Sequence, residues 1–282
     1  MTVGCVLVLY NPNVGILRQC LKVLNSQVDM IAIVDNSTKS VNYSFDSTNY
    51  VYYSMNGNYG IAAAQNKGIE ILKNYNIDYL LFLDQDSIAP ENLVEQLVEE
   101  AKKLKATSVT LGGIGPRPLN RQSNKEYRGS VKKGKKYSNT LTEVRELISS
   151  GTLIPFENFS SVGLMDSALF IDGVDHEWCW RAYKKIKARF FILETVFLSH
   201  QLGEGDHNFF FKKVAIPTPF RVFYQYRNYF ILLSRSYVPV YWKFANGFKY
   251  IIKLFYYPFF IPPRSKYFKN ICRGIYCGIF NQ

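Results

Sequence analysis

The sequence predicts an α/β fold: a mainly parallel sheet flanked by helices, continued by a helical extension crowded with aromatic and basic side chains. Three observations carry this. Apolar runs that do not alternate, clearest over residues 79–83, read as strands buried on both faces. Stretches with apolar residues at helical spacing separate them, in the strand, loop, helix order of a nucleotide-binding α/β half. From Pro217 onward, aromatic and basic residues interleave.

Taken in order, residues 3–10 form a first continuous apolar strand, closed by the turn signal Asn11-Pro12-Asn13. Leu17, Leu21 and Leu24 mark one helix face. A short strand over 31–34 ends at Asp35-Asn36-Ser37, where Asp35 can accept from a nucleobase imide or a ribose hydroxyl, or simply close a turn. Residues 50–53 make a third strand, followed by Asn56-Gly57-Asn58-Tyr59-Gly60 and a helix rich in small residues. Gly60 permits close backbone approach, and the helix it opens either favours phosphate or ribose oxygens at its positive end or simply follows an ordinary strand-to-helix turn. The strand over 79–83 then runs into Asp84-Gln85-Asp86-Ser87. Two carboxylates one residue apart on a strand share a face, and beside a phosphate they suit Mg²⁺ or Mn²⁺. Pro90 starts a helix marked by Leu93, Leu97, Ala101 and Leu104, and residues 109–115 return as a strand.

The second half is less regular. Residues 117–136 carry eight basic residues against the single acid Glu126, with glycine, serine and asparagine between them, and read as a surface loop. Ser149-Ser150-Gly151 is a tight turn that can face the site. Residues 167–171 read as a strand, followed by Asp175-His176-Glu177-Trp178-Cys179-Trp180-Arg181 just before an apparent helix. A carboxylate there can take a proton from a bound hydroxyl, or cap the helix and pair with Arg181. Residues 189–193 form a late strand, and His200 in the loop beyond is a candidate third metal ligand. Residues 241–260 read as a helix with Phe244, Phe248, Ile252 and Phe255 on one face and Lys249 and Lys253 to its side. No span reaches the roughly 20 apolar residues that cross a bilayer. The segment fits either an interfacial helix on an anionic membrane surface or a helix packed on the preceding domain.

The net charge of +12 and a pI near 9.3 call for an anionic partner. Five cysteines without a C-x-x-C pair exclude a zinc framework and fit a reduced cytoplasmic setting. The run after Met1 lacks the basic leader of a signal peptide.

The motifs at 6–12, Val34-Asp35-Asn36-Ser37, 58–68, Asp84-Gln85-Asp86-Ser87 and 175–181 occur in an order and spacing that resemble family-2 glycosyltransferases. The resemblance covers residues 3–235 and is closest to bacterial rhamnosyltransferases of surface polysaccharide synthesis. It implies a GT-A fold over residues 1–215, with 216–282 a helical region suited to a membrane surface. It also implies an inverting transfer of L-rhamnose from dTDP-L-rhamnose, or a related nucleotide sugar, onto a lipid-linked saccharide such as an O-antigen precursor. By it, Asp35, Asn36, Asn58, Gly60, Asn66, Asp84 and Arg181 would bind the donor. Asp84, Asp86 and His200 would hold the metal, Asp175 would be the base, and Glu177 would match a second acidic position. The family's Glu-Asp motif reads Val174-Asp175 here, so its first acid is replaced. The expected place of work is the cytoplasmic face of the plasma membrane, without nucleic acid, and with the oligomeric state open. A nucleotidyltransferase would need an early glycine-rich phosphate loop, which Tyr10-Asn11-Pro12-Asn13 does not supply. A nucleic-acid-binding module would leave Asp35, Asp84, Asp86 and Asp175 unexplained.

Overall fold

The computed structural model describes residues 1–39, 49–120, 134–200, 206–209 and 212–280. Its centre is a nine-stranded sheet in the order β3-β2-β1-β4-β8-β5-β9-β7-β6. The first half is wholly parallel: β1 (Val3–Leu9), β2 (Met30–Asp35), β3 (Tyr50–Ser54) and β4 (Tyr79–Asp84). The chain steps outward from β1 to β3 and then returns to the other side of β1 for β4. That reversal opens a crevice at the carboxyl edge of β1 and β4. The second half is mixed. β8 (Leu153–Pro155) runs antiparallel between β4 and β5 (Leu111–Asn120), β9 (Arg189–His200) lies parallel to β5, and β7 (Leu141–Val144) and β6 (Lys135–Lys136) close the edge.

The non-alternating strands are buried on both faces, as their sequences require. Cys5, Leu7 and Leu9 of β1 and Tyr79, Leu81 and Leu83 of β4 face one core with helices α1 (Val14–Leu24) and α3 (Leu93–Lys105). Val6, Leu80 and Phe82 face the other, under α2 (Ile61–Leu72) and α5 (Val174–Ile186). Asn13 caps α1 by accepting from the Gly15 and Ile16 amides. The small residues of α2 let it press on the sheet: a Cβ at Gly68 would come within 2.5 Å of Val6 Cγ1. A short helix α4 (Asn158–Val162) packs against α5 through Phe159 and Trp178.

Three helices complete the chain: α6 (Pro219–Ser234), α7 (Val240–Phe260) and α8 (Arg264–Phe280). Leu232 and Val238 belong to the same core as Trp178 and Phe82, so the helices beyond residue 216 share the interior of the sheet domain. Gly274 and Gly278, one turn apart, bring α8 against α6, since a Cβ at either would meet the Phe223 or Arg227 carbonyl at 2.5–2.6 Å. The other side of α7 stays open, with Phe244 76% and Phe248 67% exposed. The packed reading of this helix is thus seen on one face, and the opposite face is exposed. Among the described residues no helix is long and apolar enough to cross a membrane. All five cysteines are free.

Two readings change. Residues 167–171 are not a strand: Ser167–Leu169 form a 3-10 turn, and Phe170 at φ 61°, ψ −65° turns the chain sharply, the Ile171 amide bonding Leu169 O at 2.6 Å. The ends of the basic segment are also ordered differently, because residues 117–120 extend β5 and 135–136 form β6. Residues 121–133 between them lie outside the described residues.

Candidate active site

Three strands deliver the site. Across β1, Asp35 stands opposite Leu9 and Asp84 opposite Val8, so two carboxylates flank the carboxyl end of the central strand. Asp35 is fully buried; its Oδ1 accepts from the Ser37 amide at 3.0 Å and its Oδ2 from Tyr52 Oη at 2.8 Å. The Ser37 hydroxyl in turn accepts from the Asn11 amide at 2.8 Å, fixing the loop after β1. Asn36 reaches the other way: its Nδ2 donates to Asn58 Oδ1 at 3.1 Å and its Oδ1 accepts from the Tyr59 amide at 2.8 Å. Asn58 Oδ1 also accepts from the Gly60 amide at 3.0 Å. Asp35, Asn36, Asn58 and Gly60 are therefore one connected wall.

Asp84 and Asp86 are both partly exposed. Below them lies Cys20, its thiol pushed up to about 12 by burial first and then by the charges of Asp86 and Asp84. Asp86 accepts no hydrogen bond among the described residues. Gln85 between them bridges to the loop after β1, accepting from the Tyr10 amide at 2.7 Å and donating to Tyr10 O at 3.0 Å. The serine turn faces this edge, as expected. The Asp84 amide donates to Ser150 Oγ at 3.2 Å, the Ser87 and Ser150 hydroxyls lie 2.9 Å apart, and the Ser149 amide donates to Asp175 Oδ2 at 3.3 Å. One turn thus ties the metal-type carboxylates to Asp175.

Asp175 and Glu177 lie in the first turn of α5, inside the helix rather than before it as the sequence reading has them. Asp175 is half-buried, and its Oδ1 accepts from the His176 amide. Glu177 is completely buried. It takes the Arg181 fork at 2.7 and 2.9 Å, Tyr237 Oη at 2.6 Å and Arg235 Nη1 at 3.2 Å. Arg181 is spent on Glu177 and on the carbonyls of Val162 and Leu164. Asn66 pairs with the Met165 backbone through both ends of its amide and reaches Ser167 Oγ. Neither of these two expected donor contacts points its polar atoms at open space.

His200 ends β9, and its side chain lies outside the described residues. The backbone next to it is close to the carboxylates in the chain's path, since Ser199 bridges to Ile88, two residues after Asp86. Among the described residues no group of three or more metal-ligating side chains is assembled. The pair Asp84 and Asp86 supplies hard oxygen donors, which fit a divalent cation.

Sequence reasoning passed over Asp172, Phe170 and Asn228. Arg221 grips Asp172 with contacts of 2.7–3.0 Å. Arg221 is held more firmly charged, by that bond first and further by the charges of Asp175 and Asp84. The Asp172-Gly173 pair was a readable turn signal; its partner 49 residues away was not.

A parallel nucleotide-binding half with carboxylates at its carboxyl edge, joined to a mixed half that sets a further carboxylate beside them, defines the GT-A class of glycosyltransferase folds. The chain belongs to glycosyl transferase family 2, whose sequence profile matches residues 5–163. It is 29% identical over 252 residues to the dTDP-rhamnosyl transferase RfbF of Shigella flexneri, covering 83% of this chain and 81% of that one. Residues 1–349 of TarS from S. aureus share the fold at a TM-score of 0.59 and 12% identity, over 99% of this chain and 81% of that one. GalNAc-T7, solved with UDP, GalNAc and Mn²⁺, gives a TM-score of 0.58 at 15% identity over 97% and 55%. The expected family and fold are borne out.

Proposed function

We propose that this glycosyltransferase moves L-rhamnose from dTDP-L-rhamnose, with inversion, onto a lipid-linked saccharide in bacterial surface polysaccharide synthesis. The donor rests on the dTDP-rhamnosyl transferase relative, which matches along most of both chains. The site supports the reaction type. A nucleotide lying across β1 would set its base by Asp35 and its ribose by Asp84, with the Asn58–Gly60 wall and the start of α2 behind it. Asp84 and Asp86, with His200, would hold Mg²⁺ or Mn²⁺, which neutralises charge on the departing diphosphate.

In this reading an acceptor hydroxyl attacks the anomeric carbon as the bond from that carbon to the diphosphate oxygen breaks, the electron pair leaving with the nucleotide. Asp175 takes the hydroxyl proton. Glu177, buried among two guanidinia and a phenol, holds α5 in place, and Asn66 and Arg181 shape the walls around it. The open aromatic face of α7, with Lys249, would lie on an anionic membrane surface on the cytoplasmic side, near a lipid-linked acceptor; Lys253 turns inward, over the Tyr250 and Tyr257 rings.

The test is release of nucleoside diphosphate from a panel of dTDP- and UDP-sugars with an acceptor extract. Turnover of dTDP-rhamnose above the others is expected. Preference for a UDP-sugar would overturn the donor, and retained turnover in excess EDTA would overturn the metal. Asp175→Asn should lose about 10²–10⁴-fold in transfer while dTDP binding by calorimetry stays near wild type.

A further inference from the structure

We infer that helix α6 sets the geometry of the active site from outside the profile-matched region, with Asn228 and Arg221 as positioning residues for the segment 168–173. The inference rests on the reading of Asp175 as base. That segment is strained: Phe170 at φ 61° and Asp172 at φ 65° both occupy backbone conformations that L side chains disfavour, and Gly173 follows at φ 86°. Such residues persist only where the surroundings over-determine them.

The surroundings here are one face of α6. The buried Asn228 Nδ2 lies 2.7 Å from Leu169 O, 2.6 Å from Ile171 O and 2.9 Å from Asp172 O, so three carbonyls of one four-residue stretch share the two hydrogens of one amide. Its orientation is fixed by Arg227, which donates to Asn228 Oδ1 at 2.9 and 3.1 Å and also reaches Ala168 O. Arg221 forks onto the Asp172 carboxylate, and the Phe170 ring stacks on Tyr224 at 4.5 Å and 8°. Residues 221, 224, 227 and 228 lie at helical spacing along a single stripe.

What the clamp holds is placed at both ends of the site. On one side Phe170 closes over the donor wall, its carbonyl oxygen 2.5 Å from where a Cβ on Gly60 would stand. On the other, Gly173 opens α5 two residues before Asp175. The distance between donor wall and base is therefore set by the shape of this segment, and that shape by α6.

The experiment combines kinetics with hydrogen exchange on the full chain. Misplacing reacting groups by an ångström costs about 10²-fold, so Asn228→Ala should lower kcat by about that factor. Arg221→Gln and Asp172→Asn should each lower kcat by about 10-fold, and their double variant no further, because both cut the same link. Binding of dTDP should stay within about 3-fold of wild type, and exchange should quicken over 168–176 alone. Unchanged exchange there, or wild-type kcat in all variants, would overturn the proposal. So would faster exchange spread through β1–β4, which would make the role one of general stability. If the wild-type chain transfers no sugar at all, the reaction reading fails by itself, and exchange over 168–176 still decides whether α6 holds the segment.

Discussion

Asp175 and Glu177 are two residues apart on one helix turn and have opposite surroundings. Asp175 is half-buried beside the serine turn, and Glu177 has no exposure at all. The sequence offered both as acids in the right place, because charge and spacing are local. What separates them is supplied by Arg235 and Tyr237, about sixty residues on, which no local pattern reveals. The consequence is a stability prediction. Glu177→Gln leaves Arg181 without a carboxylate, while Arg235 keeps Asp166, and breaking a buried pair from one side costs about 3–5 kcal/mol. Its urea midpoint should fall accordingly, while Asp175→Asn unfolds close to wild type. Equal midpoints for the two would show that Glu177 is not the organising group. Gly60 gives a second prediction. At φ 85° and with Phe170 O 2.5 Å from a would-be Cβ, Gly60→Ala must displace the wall it belongs to. Weaker dTDP binding by calorimetry is expected; wild-type affinity would separate this wall from the nucleotide.

At the scale of elements, the parallel half was legible almost to the residue. β1 to β4 and α1 to α3 alternate in period, and each turn carries its own signal, such as Asn13 at the start of α1. The failure at 167–171 has a physical cause. Ala168, Leu169, Phe170 and Ile171 look like a buried strand, but their backbone is bent by Asn228 and Arg227, a tertiary effect that overrides the apolar run. Between β7 and β9, Arg189 donates to Glu143 at 2.6–2.8 Å and holds its carboxyl below the usual range. That contribution is complete above an ordinary Glu value of about 4.3 and vanishes as pH falls through the lowered folded value. Glu143→Gln should thus cost about 0.2–1 kcal/mol at pH 7 and nothing once the pH lies below both values. A gap in thermal midpoint that persists at the acid end would exclude the pair as its source.

Over the whole molecule, charge and aromatic content were plain from composition, yet where they gather was not. The open face of α7 sets Phe244, Phe248, Phe255 and Phe259 outward, with Lys249 beside them. Co-sedimentation with anionic vesicles should fall as salt shortens the screening length below about 8 Å, and Phe248→Ser with Phe255→Ser should weaken it further. Equal sedimentation with neutral vesicles would refute the electrostatic part. The core that Trp178 shares with Leu232 and Val238 bears on synthesis. When α5 has left the ribosome, the sheet and α4 can cover Trp178 in part, but Trp180 lacks Trp242 and the core lacks Leu232 and Val238 until α6 and the start of α7 follow. At 5–20 residues per second that interval is roughly 3–11 s. During it the nascent chain presents tryptophan and phenylalanine to whatever is near, so chaperone capture should peak on chains stalled between residues 186 and 219 and fall once residue 242 has emerged.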